Sequence, residues 1–386
     1  MLLPEIGAPE KSSKSRMDPS PTPAPPTSLC LLRTSALGDV THVVPIVRTL
    51  QRHWPQTALT WLIGGLEHKL LGDLEGVEFI VFEKSGGHGA QRVARQAVRG
   101  QLEGRRFDAL LHMQVSWRSN LLSRVVDAPL RIGYDRARSK DLHGLFINCR
   151  IPSRTGQHVL DAMGSFLEPL GLRQTDVRWD IPIPPSAVEF ASKHIPAQTP
   201  TLLVSPSVSP DHRRRIWRPE RYAAVMDHAA LKHGWHVVLC GGPSEFEREL
   251  GDAILAKMHT RPLDLIGKDT LKQLLALLDR ATLVLCPDSG PMHMANAVGA
   301  KILGLHAASN PARSGPYSDR RWCVDRYDAA ARKFRRKPAA ALPWGTKLEY
   351  RDVMDLVQVD DALERFEAFI IAGPSQDSGQ PAAGHQ

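Results

Sequence analysis

Short apolar, β-rich runs alternate with helix-spaced stretches twice along this chain, and the alternation breaks once, at IPIPPSAVEF (181–190). Few architectures accept that pattern. A strand apolar on both faces must be covered on both, so repeated strand–helix pairs predict a parallel sheet between helical layers. In the first half the strand candidates are SLCLLR (28–33), LTWLIG (59–64), EFIVF (78–82) and DALLHM (108–113). Val40, Val43, Val44, Val47 and Leu50 fall on one face of the intervening helix. The second half restarts with TLLVSP (201–206) and continues through HVVLCGG (236–242), LDLIG (263–267), TLVLCP (282–287) and KILGLH (301–306), with helical patterns between them. The Pro pairs at 181–185 predict a stiff, extended linker. Two such units facing across a cleft suit a ligand with two parts.

Composition narrows the class. The 386 residues carry 49 Lys and Arg against 41 Asp and Glu, a net charge of +8, with 42% hydrophobic residues. That excludes a disordered polymer and a disulfide miniprotein. No run approaches the roughly 18–20 apolar residues that span a bilayer, and the first residues lack the pattern of a secretory signal. Five scattered cysteines without metal-ligand spacing predict reduced thiols in a cytoplasm. The Pro/Ser-rich residues 1–27 and residues 373–386 are expected to be disordered tails. The surplus positive charge predicts an anionic partner, but Trp and Tyr do not interleave with the basic clusters as stacking platforms would, which argues against nucleic acid.

Two loops carry chemistry. TSALGD (34–39) joins the first strand to its helix, where ligands of open α/β sheets sit. Asp39 has two readings there: a helix cap, or a general base aimed at an incoming hydroxyl. Pro45 fits a helix that begins near Val44 better than one that begins at Asp39. In the second half, Arg213, Arg214 and Arg215 stand beyond strand 201–206, either as a solvated run or as anion ligands held before a helix opened by Pro219. The densest signal is LVLCPDSGPMHMANAVG (283–299). Asp288, Ser289 and Gly290 turn into a helix whose first N–H groups would cradle a phosphate, with His293 as a further donor or as a packed core histidine. Arg313 adds a candidate anion contact. Glu245 reads as a ribose acceptor or as a helix-start carboxylate. No Walker A, HExxH, GxSxG or GxGxxG sequence is present.

Together, TSALGDVTH, SPSVS…RRRIWRPERY, GGPSEFE, LIGKDTLKQLLALL, DSGPMHMANAVG and NPARSGPY resemble the family 9 glycosyltransferases, the heptosyltransferases of lipopolysaccharide core assembly, over roughly residues 28–370. The resemblance implies the GT-B fold: two Rossmann-like domains, with the acceptor in the first (28–184) and the nucleotide sugar in the second (185–350). A last helix (351–372) would pack back on the first domain. It implies inverting, metal-independent transfer of heptose from ADP-heptose to a lipid A–Kdo acceptor, with no cofactor. Asp39 would be the base. Ser207, Ser209, Arg215, Glu245, Asp288, Ser289, Gly290 and His293 would bind the donor, and Gln114, Arg118 and His158 the acceptor. Arg stands at 215 where Lys or Arg occurs in the family, and Ser289 replaces a common Thr. A cytoplasmic enzyme, peripheral on the cytoplasmic face of an anionic membrane, is the expected setting, and ARKFRRK (331–337) is expected to meet an anionic acceptor or that membrane face. Rival readings are a same-fold transferase using another nucleotide sugar, such as a UDP-sugar, and a non-catalytic protein that binds nucleotide sugar at a membrane surface.

Overall fold

The computed structural model describes residues 24–83 and 87–373. Six strands, β1 (Ser28–Leu32), β2 (Ala58–Gly64), β3 (Val77–Phe82), β4 (Ala109–His112), β5 (Leu130–Gly133) and β6 (Cys149–Arg150), form one parallel sheet in the order β3-β2-β1-β4-β5-β6. Helices α1 (Leu37–Thr41), α2 (Val44–His53), α3 (Gly65–Leu71), α4 (His88–Gln101), α5 (Trp117–Ser123) and α6 (Val159–Gly164) accompany it. After α7 (Pro185–His194) the pattern repeats with β7 (Thr201–Val204), β8 (His236–Leu239), β9 (Leu263–Asp264), β10 (Leu283–Pro287), β11 (Ile302–His306) and β12 (Val324–Asp325), ordered β12-β11-β10-β7-β8-β9. Its helices are α8 (Pro219–His233), α9 (Glu245–Leu255), α10 (Leu271–Arg280), α11 (Gly290–Ala297), α12 (Pro311–Ser314), α13 (Tyr327–Arg335) and α14 (Val359–Ala372). Counted within its own domain, each sheet reads 3-2-1-4-5-6, the doubly wound order whose direction reverses between its first and fourth strands.

Side-chain alternation explains why both faces are covered. Leu29 and Leu31 enter the core shared with α2 and α3, while Cys30 and Leu32 enter the core under α4 and α5. The same split divides Val284 and Cys286 from Leu283 and Leu285. The first of these cores does not stop at the domain boundary. It runs from β1 through α2 to α7, α10 and α11 of the second domain, so apolar packing joins the two sheets. Lys272 adds an ion pair to Asp73 at 2.6 Å across the same junction.

Three expectations change. The linker is short: Pro184 already caps α7, and Ala187 and Ala191 on that helix pack against α10. Residues 24–27 dock on the first sheet, Thr27 N–H donating to Asp108 at 2.6 Å and Thr57 Oγ1 to the Pro26 carbonyl at 2.6 Å. The disorder expected for 1–23 and for 374–386 lies outside the described residues. The final helix packs on the second domain and not on the first. Ala362, Phe366 and Phe369 of α14 are buried in the core with α8, β11 and β12, and Glu367 accepts hydrogen bonds from His228, Lys232 and His233 of α8. Its apolar stripe meets the open face of that sheet directly, which removes any reason to cross the cleft.

Candidate active site where two switch points meet

Both reversals of strand order point into the same place. In the first domain, the β1 loop passes beside Gln114, the second residue after β4. Gln114 Oε1 accepts from Thr34 N–H at 2.7 Å and from Thr34 Oγ1 at 3.0 Å, and Nε2 donates to Ser35 Oγ at 2.9 Å. That grip sets the start of α1. The helix lasts five residues, and α2 begins again at Val44 with Pro45 in its first turn, where a missing N–H costs little. Asp39 lies in the first turn of α1. Its carboxylate accepts from Ala36 N–H at 3.3 Å and forms an ion pair with Arg33. Burial opposes ionisation, but the charges of Arg33 and His293 and the Ala36 hydrogen bond outweigh it and hold the carboxyl below its ordinary value. The side chain remains 36% exposed, so this ionised group faces accessible space.

In the second domain, β10 ends at Pro287 and Asp288 turns inward, 5% exposed. Its carboxylate accepts from Arg215 at 3.0 Å and Ser314 Oγ at 3.1 Å, with His293 Nε2 at 3.6 Å. Burial raises its pKa, but His293 and Arg215 reverse the shift, and the group stays ionised. Arg215 is clamped on its other edge by Glu349 at 2.9 Å. Ser289 caps α11, and Gly290 and Pro291 occupy its first turn. Ser289 Oγ and His293 Nδ1 are buried without a protein partner, as is Nε of Arg33. Buried polar atoms of this kind normally meet a polar ligand or water. The N-terminus of α11 adds the positive end of a helix dipole beside them.

The two sites touch. A Cβ on Gly38 would collide with the His293 ring, and one on Gly290 would lie 3.5 Å from Leu37. Glycine at 38 therefore lets the start of α1 approach α11. His42 packs edge-on against His293 (4.7 Å between centroids) and against His158 (5.6 Å). Burial drives the His42 pKa well below its usual value, so the stack is neutral at His42.

A sequence model of glycosyltransferase family 9 (heptosyltransferase) matches residues 95–343. The lipopolysaccharide core heptosyltransferase OpsX of Haemophilus influenzae is 37% identical over 88% of this chain and 95% of its own length. The chain belongs to glycosyltransferase family 9. Among solved structures, the family 9 glycosyl transferase of Veillonella parvula superposes with a TM-score of 0.72 at 22% identity, covering 90% of this chain and 98% of that one. The heptosyltransferase WaaC of E. coli with ADP superposes at 0.66 and 17% identity, covering 88% and 99%. These neighbours carry the fold, GT-B, and family membership makes the chain a glycosyltransferase.

Within this family 9 chain, the expected site residues sort by burial. Asp39, Arg215, Asp288, Ser289, Gly290 and His293 converge as described. Ser207 is buried and donates to Glu247. Ser209 is exposed at the start of a 3-10 turn (Pro210–Arg215). Arg213 stacks over Phe246 at 4.0 Å and Arg214 is exposed, so only Arg215 of the basic run turns inward. Glu245 is exposed at the first position of α9. The carboxylate tied into the loops is Glu247, which accepts from Gly242 N–H at 2.9 Å and Ser244 Oγ at 2.9 Å. Gln114 shapes the Asp39 loop, whereas Arg118 is exposed on α5.

His158 departs from its expected acceptor role. Its Nε2 donates to the Gly315 carbonyl at 3.0 Å and its Nδ1 accepts from Leu160 N–H at 3.1 Å, so the ring bridges the domains with both nitrogens used. Burial lowers its pKa to about 4.

Sequence reasoning missed Arg33, Glu247, Glu349 and Lys347, whose Nζ lies 3.4 Å from His212 Nε2. Arg33 follows β1 directly and could have been flagged beside Asp39. Glu349 and Lys347 come from a stretch without periodicity, and no local signal marks them. Among the described residues, one group has metal-ligand spacing, His228, His233 and Glu367, on α8 and α14. It sits toward the end of α8 remote from the switch point.

Proposed function

We propose that this chain is an inverting heptosyltransferase that moves heptose from ADP-heptose to a lipid-linked inner-core acceptor of the lipid A–Kdo type. The observation that carries the reading is the contact between the Asp39 loop and the Asp288–His293 turn, which sets an ionised, accessible carboxylate against a phosphate-type cradle. The acceptor hydroxyl would attack the anomeric carbon from the face opposite ADP. Asp39 would take the hydroxyl proton as the new C–O bond forms, and the bond to the β-phosphate oxygen would break with ADP leaving. The α11 N-terminus, Ser289 and His293 would meet the charge that grows on that phosphate. Fixed donors can do this without a metal, so the reading includes none. Arg215 would hold Asp288, and through it the turn, in register. The names of OpsX and of the E. coli lipopolysaccharide heptosyltransferase 3, 25% identical over 73% of this chain, support heptose and a lipopolysaccharide acceptor. Among the described residues no helix is long and apolar enough to cross a membrane. Work at the cytoplasmic face, with peripheral contact to the bilayer holding the acceptor, fits that acceptor.

The test is turnover of ADP-heptose with a lipid A–Kdo acceptor by wild type and by Asp39→Ala. Loss of a general base predicts a fall of about 10²–10⁴-fold in kcat. Near-normal turnover in the alanine variant would end the base assignment.

A further inference from the structure

One surface of the first domain is built with care yet takes no part in the proposed chemistry. In the turn after β5, Asp141 and Leu142 have φ of 52° and 57°, left-handed at two successive non-glycine positions. Such residues persist only where surrounding contacts hold them. Here Asp141 accepts from Trp117 N–H at 3.1 Å through its carboxylate and from Asn120 Nδ2 at 2.7 Å through its carbonyl. Asn120 Oδ1 in turn accepts from His143 Nδ1 at 2.8 Å and His112 Nε2 at 3.0 Å, and all three side chains are fully buried. A buried polar network thus fixes a turn whose apolar side chains point outward: Leu142 is 63% exposed, Leu145 78% and Trp117 51%. Arg118, next to Trp117, and Lys140, whose carbonyl accepts the His143 N–H at 3.0 Å, are exposed and have no ion pair among the described residues.

The basic stretch 331–337, the sequence's candidate for this role, is different. Arg332 pairs with Asp328 at 2.6 Å, Lys333 and Arg335 lie over the Phe334 and Tyr350 rings, and those rings stack on each other at 4.8 Å. Its cations are mostly engaged, and it presents no large exposed apolar side chain.

We propose that Trp117, Leu142 and Leu145, flanked by Arg118 and Lys140, form the face by which this protein docks on an anionic lipid bilayer. Apolar side chains inserted at the headgroup boundary and unpaired cations above them are the two components of interfacial binding. The face adjoins the Asp39 loop: α5 starts three residues after Gln114, which grips Thr34 and Ser35, and Ser119 Oγ donates to the Gln114 carbonyl at 3.1 Å. Docking there would bring the first switch point to the membrane. That consequence rests on the lipid-linked acceptor proposed above, whereas the docking itself does not.

Co-sedimentation of the full chain with phosphatidylcholine vesicles, with and without phosphatidylglycerol, tests it. Wild type should bind only the anionic vesicles and release as salt rises. Leu142→Ser with Leu145→Ser, at exposed positions, should bind about tenfold less with an unchanged Tm. Arg336→Glu with Lys337→Glu should bind as wild type. Wild-type binding by the Leu142/Leu145 variant, loss in the Arg336/Lys337 variant instead, or no wild-type binding to anionic vesicles would each overturn the proposal. The last outcome would redirect the face to a protein partner. With a delipidated, soluble acceptor the Leu142/Leu145 variant should keep kcat/KM, and with a vesicle-embedded acceptor it should lose it. If neither acceptor is turned over while vesicle binding follows the expected pattern, the transferase reading fails and the docking face stands.

Discussion

The two switch points share strand order, loop position and an aspartate after a strand, yet the two aspartates live in different physical conditions. Asp39 has one cationic partner and over a third of its side chain exposed. Asp288 is 5% exposed, with Arg215, Ser314 and His293 around it. Both are held ionised by neighbouring charge, but only Asp39 is open to accessible space. The same scaffold thus holds one carboxylate accessible and the other buried among its partners, and the proposed division of labour, base against organiser, follows that difference.

Exchanging the lesion between the two sites breaks the comparison most sharply. Asp39→Ala should lower kcat by about 10²–10⁴-fold with little change in Tm. Asp288→Ala should cost about 3–5 kcal/mol of stability, because it leaves Arg215 buried with a lost partner, and should weaken donor binding as well. Urea unfolding and steady-state kinetics on the same two variants separate these signatures; a destabilised Asp39→Ala and a stable Asp288→Ala would invert the assignment. Gly38→Ala probes the contact between the sites. A methyl driven into the His293 ring should push α1 from α11 and lower kcat/KM by about 10²-fold, while nucleotide binding, measured by calorimetry, stays close to wild type.

The donor side alone should recognise the leaving group, base as well as diphosphate. ADP at 100 times its Kd should stabilise the protein by about 2.7 kcal/mol, and UDP at equal concentration should shift Tm far less; equal shifts would favour a different nucleotide sugar. The smallest effect concerns pH. Burial, with the charge of Glu247 adding to it, pushes Asp269 beside α10 up to about 7, opposite in sign to Asp39. A raised carboxyl pKa contributes stability below its unfolded value, and that contribution is lost as pH rises through about 7. Asp269→Asn should flatten the decline of Tm between pH 5 and 8, and an unchanged slope would remove Asp269 as its source.

Much of the fold is legible in the sequence, for physical reasons. Strands buried on both faces announce themselves as apolar runs, so β1, β2, β7, β10 and β11 stand out. The short edge strands β6 and β12, two residues each, leave no such trace, whereas LDLIG (263–267) marks β9, of which only Leu263 and Asp264 pair. Asp39 and the Asp288–His293 turn are local motifs at strand ends and were readable as such. Glu245 and Glu247 were not separable, because two carboxylates two residues apart on a helix start differ only in which one folds back onto Gly242.

The sequence by itself determined two parallel α/β units, the strand-end position of each reactive loop and the family. Strand periodicity and loop motifs are short-range properties of the chain, so they survive without coordinates. Tertiary structure alone decided that α14 stays with the second domain, that His158 bridges the domains, that one arginine of three turns inward and that an apolar, basic face sits beside the Asp39 loop. Each of these depends on contacts between residues tens to hundreds of positions apart. Burial and pairing at that range are fixed by packing, which no local pattern encodes.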